Sequence, residues 1–193
     1  MRRSQLCCVV MSSAQAAKSP ALIADAALLR VSKAQKRALE MFVEGVYLAS
    51  TAPGGLEELR HRVCADRLRL AADFLVSANR LYRMRPACYR DAISRYYYGM
   101  YHSARAVVYY AHGGDDHESH NALPGQIPKD FPDAARWTNA LKDARAYRNA
   151  ADYDPYPEEK SYWRGVAANL ATEAPALLRL AKQYLGAKGC GYI

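Results

Sequence analysis

Between Asp91 and Tyr110 the chain reads Asp-Ala-Ile-Ser-Arg-Tyr-Tyr-Tyr-Gly-Met-Tyr-His-Ser-Ala-Arg-Ala-Val-Val-Tyr-Tyr. The pattern is helical, yet tyrosine, histidine and arginine stand where a core helix ordinarily carries leucine. Ser94, Tyr98, His102 and Arg105 follow one another at spacings of four, four and three, so their polar tips share a helix face and can line a groove. These side chains suit RNA or a nucleotide: tyrosine rings stack on bases, and guanidinium groups bind phosphate. They also have a structural use, because a tyrosine can bury its ring between helices and hydrogen-bond through its hydroxyl. Arg95, Tyr98 and Arg105 are therefore candidate RNA- or nucleotide-binding residues. His102 is either an interhelical histidine or a proton-transfer group. On another side of the same helix Ala92, Gly99, Ser103 and Ala106 line up, and a neighbouring backbone can approach closely there. Glycine inside a helix costs ~1 kcal/mol against alanine, which close packing at Gly99 would offset.

A second chemistry-bearing run is Arg148-Asn149-Ala150-Ala151-Asp152-Tyr153-Asp154-Pro155-Tyr156. Arg148 and Asp152 are four residues apart, the separation of an ion pair on one helix face. A third is His112-Gly113-Gly114-Asp115-Asp116-His117-Glu118-Ser119-His120, where imidazoles and carboxylates together could hold zinc or a similar ion. Its spacing matches no established site, and exposed loop histidines are its ordinary reading, so no metal is expected. The sequence shows no phosphate-cradling glycine loop, acyl-transfer nucleophile signature or zinc-ribbon spacing, and no other cofactor is expected.

The elements that must position these runs are all helical. Apolar residues recur at three- and four-residue spacing, and strand-like alternation is never sustained. One helical region spans about Pro20 to Ser50 and is ended by Ala52-Pro53-Gly54-Gly55. The next helix runs from Leu56 to Met84, with Leu59, Val63, Leu70, Phe74, Leu75 and Leu81 as its buried side and Arg60, Arg62, Arg67 and Arg69 on a solvated face. Pro86 breaks it. The tyrosine-rich helix covers Cys88 to His112 and stops at Gly113-Gly114. After a polar loop through Asp130, helices follow over Asp133–Ala151 and Glu158–Gly186, the last kinked at Pro175. The segment beyond, Lys188 to Ile193, reads as a frayed tail without a role.

With 193 residues, 51% of them hydrophobic, the chain can bury one substantial core. A net charge of +8 favours polyanions or an acidic protein as partners. Five cysteines, an odd number without repeated spacing, read as reduced thiols, not a disulfide framework. Leu6 to Met11 follows Met1-Arg2-Arg3 like a secretory signal, but the apolar run falls short of the ~7 residues such a segment needs, and Met11 is an alternative start. No run reaches the ~18 residues of a membrane span, so a cytoplasmic location without membrane contact is expected.

The pattern Ala92-x-Ser94-Arg95-x-Tyr97-Tyr98, then Tyr101-His102-x-Ala104-Arg105-Ala106, then Arg148-x-x-Ala151-Asp152-Tyr153, resembles the HEPN family over about residues 65 to 185. The resemblance implies an all-α, HEPN-like four- to five-helix bundle (residues 56–193) that dimerises with a second copy, preceded by an N-terminal helical extension (residues 1–55). It also implies an RNA-directed protein of a toxin-antitoxin or defence-type system, with a nucleotidyltransferase antitoxin as partner. Ribonucleases of the family follow an arginine and a polar residue with a histidine, and cleave RNA without metal through attack of the ribose 2′-hydroxyl on the adjacent phosphate. Arg148-Asn149 fits the first half of that motif, whereas Tyr153, Asp154 and Pro155 occupy the histidine's positions. Carried over, the resemblance makes Arg148, Asn149, Asp154 and His102 the candidate catalytic residues and adds Tyr156 to the binding residues; His120 falls where the family often has a histidine. An ordinary aspartate, of pKa ~3.9, is a poor acid at neutral pH, though it can accept a proton. Two readings follow: a metal-independent ribonuclease with a degenerate Arg-x5-Asp motif, or a non-catalytic nucleotide- or partner-binding adaptor.

Overall fold

The computed structural model describes residues 31–156 and 159–193. Its helices are α1 (Lys36–Ser50), α2 (Gly55–Arg83), α3 (Tyr89–His112), α4 (Ala134–Tyr153) and α5 (Lys160–Ala187), with a 3-10 turn at Leu123–Gln126. No strand occurs among the described residues, as expected for an all-α chain. Two compact units divide the chain, Met1–Gly45 and Val46–Ile193. The expected single helical region from Pro20 to Ser50 is interrupted, because Lys33 to Gln35 are not helical; Pro20 to Arg30 lie outside the described residues.

Helix ends follow local chemistry. Gly113 closes α3 in the left-handed conformation (φ 76°), and its N–H donates to the Tyr109 carbonyl at 2.9 Å. Pro175 lies inside α5 without ending it. The bundle is built around α3, which packs most extensively on α2 and α5 and next on α4, while α4 and α5 barely meet. More than half of the 24 residues of α3 are buried. Each large apolar side chain that joins this core, such as Leu68, Leu141, Leu170 and Leu177, contributes about 1.5–3 kcal/mol.

The buried side of α2 differs from expectation. Leu75 is buried, but Val63 and Leu70 are exposed, and the buried stripe is Cys64, Leu68, Ala71, Leu75 and Ala78. Small residues hold most of that stripe because α3 comes very close to it. A Cβ built on Gly99 would lie 2.5 Å from Leu75 Cδ2 and 3.4 Å from the Ala71 carbonyl oxygen. The solvated arginine face is also only partly so, since the Arg67 side chain is 18% exposed and bonds to Asp115.

The segment after α5 is not frayed. Cys190 is buried, the Gly191 N–H donates to His61 Nδ1 at 3.2 Å, and the Tyr192 hydroxyl donates to Glu58. Lys188 Nζ pairs with Asp130 at 2.6 Å, and Tyr110 donates to the Lys188 carbonyl at 2.8 Å. These bonds clasp the segment to α2, α3 and the loop before α4.

Replacing Gly99 with valine should lower stability by about 2 kcal/mol or more, because the added methyls must displace Leu75 from a packed interface. Thermal unfolding followed by circular dichroism reads this directly; an unchanged midpoint would mean that α2 and α3 are not so close.

Candidate functional site

The face of α3 that carries Tyr98 and His102 meets α4 on one side and the 113–122 loop on the other. Tyr97 is buried, and its hydroxyl bonds to His120 Nδ1 at 2.6 Å. Tyr101 donates to the Glu118 carbonyl at 2.5 Å, and its ring stacks on His120 with centroids 4.1 Å apart. Burial raises the pKa of both phenols, so they remain neutral at any ordinary pH. Two hydrogen bonds and a ring stack therefore dock the loop onto α3, and His120, which resemblance alone had suggested, becomes part of the cluster.

Arg105 makes the strongest of the loop's attachments. Its Nε donates to Asp115 Oδ1 at 2.9 Å, a second N–H donates to Asp115 Oδ2, and Nη2 also reaches Glu118 Oε2 at 2.9 Å. Arg67 adds a further bond to Asp115 at 3.0 Å. The hydrogen bond from Arg105, reinforced by the Arg67 charge, holds the Asp115 carboxyl below its usual range. Arg105, expected from its spacing to face a ligand, is thus taken up by the loop. The loop carboxylates serve the bundle, and no group of three metal-ligating side chains forms among the described residues.

Arg148 comes from α4 to the same face. Its Nη2 donates to the Tyr98 hydroxyl at 3.1 Å and its Nη1 to Asn149 Oδ1 at 3.1 Å. Its Nε lies 2.8 Å from Asp152 Oδ2, the four-apart pair anticipated from sequence, although the N–H does not point along that line and the contact is an ion pair. Asp152 also accepts from Ser94 at 3.3 Å. The guanidinium lies over two tyrosine rings, Tyr98 at 5.6 Å and Tyr153 at 5.1 Å, and the Arg148 side chain remains 18% exposed. Three attachments and two rings fix the cation in place before any ligand arrives.

His102 stacks on Phe74, centroids 5.4 Å apart, and its ring lies 6.5 Å from that of Tyr98. Its Nδ1 is buried and has no partner among the described residues. Burial, assisted by the charges of Arg105, Arg67 and His120, pushes its pKa down to about 4, so the imidazole is neutral at pH 7. A neutral imidazole accepts a proton and does not give one up as a cation would. Burial and the nearby Arg148, Arg145 and Arg105 charges lower the pKa of His120 as well.

The remaining expected residues lie at the rim. Arg95 is exposed, with its guanidinium 5.9 Å from the Phe74 centroid. Asp154 ends α4, and its carboxylate accepts from the Tyr156 N–H at 3.0 Å; Tyr156 is 87% exposed. Arg90, which sequence reasoning passed over, secures this end of α4. It donates to the carbonyls of Ala151 at 2.7 Å and Asp154 at 2.8 Å, placing a cation on the negative end of the helix. A single arginine on the preceding helix, some 60 residues away in sequence, carries no local signal of that use.

The geometry thus joins Tyr98, His102, Arg148 and Asn149 in one cluster, leaves Arg95, Asp154 and Tyr156 at its edge, and gives Arg105 to the loop. For His102, the ring-proton titration measured by NMR should be centred near 4, not 6.5. Because the folded pKa is lowered, its contribution to stability is present above about 6.5 and is lost as pH falls through about 4; His102→Phe should flatten that part of the stability profile. For Asp115, whose folded pKa is also lowered, the contribution is present above the usual carboxylate range and disappears in more acid solution. Asp115→Asn should therefore speed amide exchange across residues 115–120 near neutral pH, and unchanged protection would show that the loop does not depend on this ion pair.

A family model described as HEPN domain matches residues 64–184. No curated protein and no solved structure matches the chain.

Proposed function

Because the chain belongs to the HEPN family, we propose that it is an RNA-directed protein whose binding face is the Arg148 cluster. The observation that carries this reading is the preorganised Arg148 guanidinium, held by the Tyr98 hydroxyl and Asp152 and lying over the rings of Tyr98 and Tyr153. A phosphate oxygen would meet a cation whose orientation is already set, with the Asn149 amide beside it. Asp152 offsets one charge, but among the described residues Arg145 bonds only to the neutral Asn121 amide and Arg95 lies over a ring, so both keep their charge nearby. Exposed Tyr153 and Tyr156 supply rings on which bases can stack. The net charge of +8 draws a polyanion toward this face.

Cleavage would require a proton to leave the ribose 2′-hydroxyl and another to reach the leaving 5′-oxygen. The neutral His102 or the Asp154 carboxylate can take the first role, while Arg148 and Asn149 stabilise the charged phosphorane. In this reading the chain is a metal-independent ribonuclease acting in a toxin-antitoxin or defence-type system, as a homodimer and with a nucleotidyltransferase antitoxin as partner. The low pKa of His102 supports the second reading, a non-catalytic nucleotide- or partner-binding adaptor, because no imidazolium is at hand to protonate the leaving group at neutral pH.

One experiment addresses both. Purified full-length protein is mixed with labelled single-stranded RNA in chelator; affinity is read by fluorescence anisotropy, and products are analysed for 2′,3′-cyclic phosphate ends. Arg148→Ala should weaken binding about tenfold, equivalent to about 1.4 kcal/mol. Cleavage lost in that variant identifies the ribonuclease, and binding without cleavage identifies the adaptor. Equal affinity of wild type and variant would remove Arg148 from the interface.

A further inference from the structure

His120 has one ring nitrogen in use and one available. Its Nδ1 pairs with the hydroxyl of buried Tyr97 at 2.6 Å, whereas Nε2 has no hydrogen-bond partner among the described residues, and the residue is exposed. The two nitrogens of an imidazole point in widely diverging directions, so an Nδ1 aimed into the core aims Nε2 out of it. Neighbours fix the ring in that pose. It stacks on Tyr101 with centroids 4.1 Å apart and meets the Tyr98 ring edge-on at 6.0 Å. The loop is held on both sides of it, by the Glu118 carbonyl that accepts from Tyr101 and by Asn121, whose Oδ1 accepts from Arg145 Nη1 at 2.7 Å. We propose that His120 Nε2 hydrogen-bonds the ribose 2′-hydroxyl of a strand held at Arg148, so that this face tells RNA from DNA.

Position supports the pairing of His120 with Arg148. Tyr98 stands between them: Arg148 donates to its hydroxyl at 3.1 Å and lies over its ring at 5.6 Å, while His120 meets the same ring from the loop. Arg145, one turn before Arg148 on α4, reaches the residue after His120. A loop histidine and a helix arginine thus flank one tyrosine, and neighbouring parts of a strand, a phosphate and its sugar, can meet them together.

Chemistry separates the two roles. Burial, with the charges of Arg148, Arg145 and Arg105, lowers the pKa of His120, so its imidazole is neutral at pH 7 and leaves the phosphate charge to Arg148. In a neutral ring Nε2 donates when Tyr97 donates to Nδ1, and accepts when Nδ1–H donates to Tyr97. A hydroxyl both donates and accepts, so it satisfies Nε2 in either tautomer, whereas a carbonyl or phosphate oxygen satisfies only one. The 2′-hydroxyl is the group that lets a protein distinguish RNA from DNA. The proposal rests on the RNA-directed reading and holds whether the chain cleaves the strand or only binds it.

The test measures affinity of the full chain for a labelled 12-nucleotide RNA and for the 2′-deoxy oligomer of the same bases. Stopped-flow fluorescence anisotropy reads both before any cleavage accumulates. Wild type should bind the RNA about fivefold more tightly, the worth of one ordinary hydrogen bond. His120→Asn keeps an amide within reach of the Tyr97 hydroxyl but has no atom in the place of Nε2. It should bind the two oligomers alike, with its affinity for the deoxy oligomer unchanged. His120→Gln, whose amide reaches toward the place of Nε2, should keep part of the preference. A purely structural histidine would lower both affinities together in these variants. Wild type without a preference, or a preference that survives His120→Asn, overturns the proposal and leaves the Arg148 face in place. Arg148→Ala should weaken both oligomers by the same factor, and failure of that variant alone counts against Arg148. Binding of neither oligomer to wild type removes the RNA-directed reading and this proposal with it.

Discussion

Tyrosine in place of leucine on a buried helix creates an obligation. Rings of Tyr96, Tyr97 and Tyr101 enter the core of α3, and each brings a hydroxyl that costs about 1–3 kcal/mol if buried unpaired. Every one of these hydroxyls finds a partner: Asn79 for Tyr96, His120 for Tyr97 and the Glu118 carbonyl for Tyr101. Two of the three partners lie in the loop after α3, so satisfying the core also shapes the loop. The half-buried Tyr98 follows the same logic outward, accepting from Arg148 and so linking the core of α3 to the exposed end of α4. The candidate site is a continuation of the hydrogen-bonding demands of the bundle's central helix.

This dependence also sets the chemistry that the site can offer. His102 sits one aromatic layer inside, against Phe74, where burial keeps it uncharged. Arg148 sits one layer outside, where rings and a carboxylate fix its direction while part of it still reaches solvent. The structure therefore places a firmly held cation at the surface and a neutral base behind it. In the proposed reading, that order suits recognition of a phosphodiester before any step in which protons move.

Much of the helical frame was legible in the sequence because its punctuation is local. Gly113-Gly114 marks the end of α3, Pro86 the interval before it, and the observed ends of α2 to α5 fall within two residues of expectation. The close approach at Gly99 was legible too, since four small residues aligned on one side of a helix admit few other uses. The buried side of α2 was misread because hydrophobicity pointed to Val63 and Leu70, whereas proximity to α3 selected Cys64, Ala71 and Ala78. Arg148 with Asp152 and Tyr98 with His102 could be paired by helical spacing. The ties of Arg105 to Asp115 and Arg90 to Ala151 could not, because no periodicity links residues in different elements.

The segment after α5 was misread for the same reason, and its anchoring has a consequence for how the molecule comes into being. Gly191 meets His61 across 130 residues of chain, and Tyr192 meets Glu58 across 134. During synthesis α2 emerges early, yet the clasp that joins it to the end of α5 has no second half until residues 190–192 have been made. A nascent bundle halted before them would have the helices but not the closure, leaving the Cys64 side of α2 uncovered by Cys190. Residues 190–192 thus act as a completion check on the bundle, one that is passed only once they have been made.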